Sequence, residues 1–477
     1  MKDSSLIDQD ISLFKALMLL VGTALGMSIF IVPTQMLAQA GPSIIIAVLI
    51  SVIPMIFAAA MLLQLSAAVP VAGGIYIYAS RLVGPFWGLI SLIVMPLITV
   101  WAYLLFAAIG FAQYLPILVN FLPVAVDIPI TVGALVLLFT FILVNYFGIK
   151  TAANTQTIMV TLLLIGLFTF IVGGLTNFDS ANFSPLFPSG EGEPFESNYG
   201  PFLLAVVLLY IPFQGFAMII ELGEEIDDPG KNIPYALIIG MGLVTILVLG
   251  LIAALVGSVP WEEAINPETG EPVEGGLATV MMEKSPGWSI ATIAIGALVA
   301  AATTVNAMIT SFSRTLMAAS RDNMLPKIFS ELNKKYNTPS NAVLLIGVPP
   351  VLGALLHNTL NSLTPIDLLD WLVVIVVSGI FISFIISSLA LWRLPKKFPK
   401  LYENAWYKFP KPVVKFLAVS NILISTAFMY MIARTAPTAL LFLTMGTLVG
   451  IIIYKIQTKR NSISEDIRQN LQQFQNH

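Results

Sequence analysis

Two stretches of an otherwise apolar chain carry chemistry in their backbone rather than in charged side chains. The first, Leu19 to Phe30, reads LLVGTALGMSIF. Gly22 and Gly26 flank Thr23, and Ser28 follows; each glycine costs a helix interior about 1 kcal/mol relative to alanine. In lipid, loosened backbone persists only where it lines a cavity or packs on protein. The second stretch, Leu209 to Glu225, reads LYIPFQGFAMIIELGEE. Pro212 removes a backbone donor and crowds the preceding turn, and Gly215 soon follows, so the pair predicts an unwound segment. An opened helix offers free N–H groups and a partial positive charge to a carboxylate, while its freed carbonyls suit an ammonium. Two such openings suit a zwitterion without any charged side chain. Plainer readings stay open beside this one. Gly22 and Gly26, spaced G-x-x-x-G, also read as a close-packing face between helices, and Pro212 with Gly215 as an ordinary kink.

Titratable candidates are few. Glu221 lies within an apolar run, where an ionisable group costs roughly 2.5–3.5 kcal/mol at mid-helix and marks function; it is a candidate proton carrier. It also lies one turn before Glu225, and a turn is about 5.4 Å, so a hydrated position near the interface is the other reading. Hydroxyls of Thr303 and Thr304, with carbonyls near Gly22, form a candidate sodium site; otherwise these threonines bond their own helix. No other metal site and no cofactor are expected, leaving H+ or Na+ as coupling ion. Glu224, Glu225, Asp227, Asp228 and Lys231, with Arg314 and Arg321, read as a gate of ion pairs or as a solvated loop face. Asn306 reads as a helix–helix hydrogen bond, Trp101 and Tyr103 as site wall or packing, and His357 as a histidine near an outer loop.

These residues need elements to hold them, and composition says which. Of 477 residues, 57% are hydrophobic and 10% charged, with mean hydropathy +0.90, whereas soluble domains run near a quarter charged. Apolar runs of about 18 residues or more recur, each enough to cross hydrocarbon roughly 30 Å thick. The fold class expected is an all-α polytopic membrane protein with twelve transmembrane helices. Spans fall at roughly 13–40, 43–68, 85–117, 128–147, 154–175, 201–225, 234–257, 288–318, 341–358, 365–392, 413–433 and 436–455. The polar arm 1–12, with Leu6, Ile7, Ile11 and Phe14 at helical spacing, reads as a surface helix, and the tail 456–477 repeats that pattern. The outer loop 176–200 carries Asp179, Glu191, Glu193 and Glu196; a second acidic loop, 258–286, carries Trp261 and six glutamates.

Charge supports the count. With both termini cytoplasmic, only Lys284 and Arg434 of the 23 basic residues face outward, as the positive-inside tendency requires. The first and sixth spans are both interrupted and cross in opposite senses. That predicts an inverted repeat, 13–175 (helices 1–5) against 201–392 (helices 6–10), with helices 11–12 at 413–455 and a site at the bilayer midplane. The net charge of −3 gives no reason to expect nucleic acid, and the absence of cysteine excludes a thiolate site or a disulfide-linked partner subunit. A channel would need a continuous polar stripe, and a membrane enzyme a buried acid, base or nucleophile cluster; neither pattern occurs.

Five motifs, in order, carry a family resemblance. They are GTALGMSIF in span 1, PVAGGIYIYASRLVGP after span 2, NYFGIK closing span 4, GEEIDDPGKNIPYAL after span 6, and SRTLMAASRDNMLP ending span 8. Over roughly residues 13–392 the chain resembles the amino acid–polyamine–organocation (APC) superfamily of permeases. The resemblance implies a five-plus-five inverted repeat, broken helices 1 and 6, and amino acid uptake or exchange by alternating access. It implies that the substrate carboxylate meets backbone N–H groups around Gly26, Met27 and Ser28, and the ammonium carbonyls of Ala24, Ile211 and Gln214. Gly215 loosens that wall, and Phe213 or Phe216 closes over the substrate. Met27 and Ser28 depart from the family's serine and glycine, Leu163 stands where many sodium-independent members carry lysine, and Ala217 where several are acidic or polar. The expected protein is a secondary-active transporter for a neutral amino acid, multi-pass in the cell membrane, monomeric or a weak homodimer. A polyamine or organic amine carrier and a non-transporting solute sensor are the alternatives.

Overall fold

The computed structural model describes residues 11–119, 128–188, 200–273, 276–281, 286–363, 368–435 and 437–458. Leu6, Ile7, Glu191, Glu193, Glu196, Lys284 and the tail beyond 458 lie outside the described residues. Everything described is helix, turn or loop, with three isolated β-bridges and no strand. Among the described residues, eight stretches are long and apolar enough to cross a membrane, or nine if a pair bent by 74° is one crossing.

The chain opens with α1 (Leu13–Ala24), α2 (Ser28–Ala40) and α3 (Ile44–Ala68). Leu25, Gly26 and Met27 separate α1 from α2, so the interruption expected in the first span is present. Then come α4 (Pro85–Val119), α5 (Ile130–Tyr146), α6 (Ile149–Thr176) and α7 (Gly200–Leu208). Past α7 the chain tightens into an eleven-residue 3-10 stretch, Ile211–Glu221. Such stretches seldom exceed 3–4 residues, and long ones mark strain or a hinge. Pro212 stands at its start, as its missing N–H allows. Next are α8 (Pro229–Ser258), α9 (Gly287–Arg321), α10 (Ser340–Leu355), α11 (His357–Leu363), α12 (Leu368–Lys397), α13 (Lys411–Thr435) and α14 (Pro437–Thr458). His357 falls at the bend between α10 and α11.

Burial sorts these helices into a centre and a rim. The apolar windows of α4, α9 and α12 are 83% buried, whereas those of α6 and α13 are 39% and 33% buried. Rim residues such as Ile246, Leu423 and Leu441 point outward, which is tolerable only against hydrocarbon. With no hydrophobic drive between helices in lipid, close approach falls to small residues. α9 packs most extensively on α6, and there Gly166 and Gly296 touch backbone to backbone. At 35 residues, α9 is about 52 Å long and carries Arg314 and Arg321 toward one end of the molecule.

Gly215 fixes how the two interrupted elements cross. A Cβ there would lie 2.2 Å from the Ala24 nitrogen, so Gly215→Ala should lower the thermal unfolding temperature in detergent by several degrees or abolish folding. Gly242→Ala, with nothing within 4 Å, should leave it unchanged or raised; equal effects would show that the crossing is not tight.

Candidate functional site

The α1–α2 interruption is enclosed by three neighbours. A Cβ on Gly22 would meet Val160 and Gln156 of α6 and Thr303 of α9, and one on Gly26 would meet Thr304. Gly215 supplies the third wall. The glycines therefore permit close packing at the same place where the helix opens. After Leu25, whose N–H still donates to Val21, ladder bonding resumes only with Ile29 N–H to the Gly26 carbonyl and Phe30 N–H to that of Met27. The amides of Gly26 and Met27 donate to no protein group among the described residues.

Ala24, Met27, Ser28, Ile211, Phe213, Gln214 and Phe216 are all buried against this crossing or beside it. The Tyr103 hydroxyl on α4 lies against Ser28, yet neither hydroxyl completes a hydrogen bond. The Tyr210 hydroxyl and both ends of the Gln214 amide are likewise buried without partners. Tyr210 stacks on Phe381 at 5.2 Å between centroids, and Phe216 faces Phe384 at 6.2 Å, so α12 backs the second wall with aromatic rings. Buried polar groups are normally paired. The second element is a tightened 3-10 stretch rather than the unwound one expected from Pro212 and Gly215, and the clustering of these groups between it and the opened α1–α2 junction makes this the best candidate for a ligand site. Trp101 instead lines an apolar cavity of about 500 Å³ with Trp371 and Phe442, away from the crossing.

Thr303 donates to the carbonyls of Gly22, at 2.9 Å, and Ala300, at 2.8 Å; Thr304 donates to Ala300. Thr304 thus bonds its own helix, while Thr303 does so and also ties α9 to the opened segment. Asn306 joins helices, donating to the Ala152 carbonyl and Gln156 Oε1 and accepting from Asn145. No cluster of three or more His, Cys, Asp or Glu side chains that could hold a metal occurs among the described residues.

Beneath the crossing lies a layer of buried charge. Glu221 is fully buried, which rules out the hydrated position. One carboxylate oxygen accepts from the Ile75 amide at 3.1 Å and the other from the Thr315 hydroxyl at 2.7 Å. Its backbone carbonyl accepts from Gly73. Glu221 thereby staples the segment after α3 to α9. Arg314 grips Glu225 through Nε and Nη2 at 2.9–3.2 Å and spends Nη1 on Thr310 and Ser313, with both side chains 1% exposed. Arg81 and Tyr76 converge on Asp322 at 2.5 and 2.7 Å. Burial, then the Asp322 carboxylate, pushes the Tyr76 phenol well above its usual value, so it stays a neutral donor. Arg321 pairs with Glu224 at 3.0 Å in a half-exposed position, where such pairs contribute little. The expected network is thus corrected. Asp227, Asp228 and Lys231 are exposed, and Arg81, Tyr76 and Asp322 take their place. Ile11 closes the layer by exchanging backbone bonds with Glu225 and Asp227.

On the opposite side, Tyr114 donates to the Phe30 carbonyl at 2.8 Å, and Gly276 packs against that same carbonyl. The crossing is therefore covered from both ends. Tyr103 reads from sequence as site wall or packing, and Tyr210 and the Gln214 side chain escape a sequence reading because each looks like ordinary packing until its unpaired polar atoms are seen. Tyr76 and Asp322 sit inside quoted motifs, which was the available signal.

An interrupted, enclosed crossing in a helical, lipid-facing bundle defines a multi-pass membrane protein. The chain belongs to the amino acid permease family, whose profile matches residues 11–453. It is 26% identical to the branched-chain amino acid permease BcaP of Bacillus subtilis (strain 168), across 95% of this chain and 94% of that one. It is 24% identical to the methylthioribose transporter of the same organism, again across 95% and 94%. With the serine/threonine exchanger SteT, also from that organism, identity is 25% across 70% and 74%. Family and relatives are transporters, and the chain is read as one.

Removing one partner of a buried ion pair typically costs about 3–5 kcal/mol, because the other charge is stranded. Glu225→Gln and Arg314→Met should each lower the unfolding temperature sharply, and the double variant should recover part of the loss. A double variant as unstable as the sum of the singles would show that the two side chains act separately.

Proposed function

We propose that this protein is a secondary-active transporter of neutral amino acids, working by alternating access through ion-coupled uptake or exchange. The free amides of Gly26 and Met27, set in a crossing without a charged side chain of its own, carry that reading. They suit a carboxylate, and carbonyls of the 3-10 stretch Ile211–Glu221, each keeping a second lone pair, would accept from an ammonium. Twelve crossings, with 13–175 and 201–392 as inverted repeats and 413–455 as two added helices, account for two interrupted elements meeting at one point. The protein then resides in the cell membrane with both termini in the cytoplasm, as a monomer or weak homodimer.

Coupling has two candidate sites. Glu221 is placed to carry a proton, because protonation would release Ile75 or Thr315 and loosen the charged layer. Gly22, Thr303 and Thr304 supply only oxygen ligands, which fit a hard cation such as sodium in chemistry. Of these, Glu221 is the stronger candidate, since the Thr303 hydroxyl already donates directly to the Gly22 carbonyl.

Purified protein screened by thermal shift against the twenty amino acids and common polyamines should be stabilised by neutral amino acids, since a ligand selective for the folded state raises apparent stability. Stabilisation by polyamines alone would overturn the substrate class, and binding without saturable flux in proteoliposomes would make the protein a sensor. Glu221→Gln should abolish uptake driven by a pH gradient and spare counterflow; pH-driven uptake equal to the parent protein would remove Glu221 from coupling.

A further inference from the structure

We infer that the side-chain amide of Gln214 selects the substrate's side chain, favouring neutral amino acids that carry a hydroxyl or carboxamide over aliphatic ones. The inference rests on the transport reading above and narrows it. Gln214 is 1% exposed, and neither its Nε2 nor its Oε1 has a partner. A primary amide brings two donors and an acceptor oxygen with two lone pairs, and burying them unpaired costs free energy.

Other buried carboxamides in this protein are not left so. Gln64 donates to the Tyr407 carbonyl and accepts from the Phe409 amide. Asn145 and Asn306 bond each other, and Asn421 donates to Phe57 and Leu417. Gln156 accepts from Asn306 and lacks a partner only at Nε2. Among the described buried carboxamides, Gln214 alone has both ends unpaired.

Its position explains why. Gln214 precedes Gly215, whose Cα packs on the Thr23–Ala24 backbone, so its side chain departs from the crossing point itself. The free amides of Gly26 and Met27 already serve a carboxylate, which leaves the Gln214 amide for the group that varies between substrates. Tyr210, four residues before Gln214, adds an unpartnered hydroxyl, as do Ser28 at the start of α2 and Tyr103 beside it. A wall of that kind pairs with a polar side chain and is left unpaired by leucine or valine. Sites built around hydrogen bonds reject analogues lacking the group by about 10^4–10^5-fold, whereas apolar pockets distinguish one methylene by only about 10–200-fold.

The test is competitive uptake in proteoliposomes across all twenty amino acids, for the parent protein and for Gln214→Leu, with thermal-shift binding as a second readout. The parent should prefer serine, threonine, asparagine or glutamine. Gln214→Leu should shift the ratio of polar to aliphatic uptake by about 10-fold or more toward leucine and valine, with an unfolding temperature equal to or above the parent's. An aliphatic preference in the parent, an unchanged ratio in the variant, or an equal loss for every amino acid overturns the inference while leaving the transporter reading intact. Failure of the parent to bind or move any amino acid overturns both.

Discussion

Gly215 has no Cβ, and the space one would need is filled by the backbone of Thr23 and Ala24. From that single contact much of the molecule follows. Unlike the contact between Gly166 and Gly296, where α6 and α9 both stay regular, this one falls where both elements depart from α-helix. One breaks at Leu25–Met27; the other narrows into a 3-10 stretch. Broken helices inside a membrane must have their backbone groups covered by protein. α6 and α9 supply that cover through Gln156, Val160, Thr303 and Thr304, and α9 is accordingly one of the deeply buried helices, 83% in its apolar window.

The charged layer depends on the same crossing. Glu221 ends the narrowed stretch, and Glu225 follows one turn later. Their carboxylates are placed by the backbone that the crossing distorts. Glu221 holds the segment after α3 and Arg314 holds Glu225, so the cover on that side is stapled to the element that must move if the site is to open. A buried charge pair is weak evidence for stability by itself. Here it joins two segments 89 residues apart beneath the crossing.

What could be read from the sequence was what backbone chemistry dictates locally. Gly22 and Gly26 announce an opened helix, Pro212 and Gly215 a departure from α-helix that takes the 3-10 form, and long apolar runs announce a bilayer. Partners were not legible. The Glu221 carboxylate is satisfied by Ile75, 146 positions away, and Thr315, 94 away, so no local pattern could separate a buried carboxylate from a hydrated one. Lys231 looked like a natural mate for the acidic run beside it, but the helix it begins points it outward. Arg81 and Asp322 lie 241 residues apart and find each other only in the folded bundle. The count of crossings rests on length and charge rather than on contacts.

The staples and covers also impose an order on the making of the protein. The opened segment at Gly26 leaves the ribosome early, whereas Gly215 and Thr304, which enclose it, are encoded far downstream. At about 5–20 residues per second of synthesis, Gln156 and Val160 follow the unpaired amides after roughly six seconds or more, and Gly215 after roughly ten seconds or more. During that interval the first interrupted helix cannot rest in lipid as a finished span. It must be held at the insertion machinery or kept wet, so Gly26 and Met27 are the last part of the first crossing to settle.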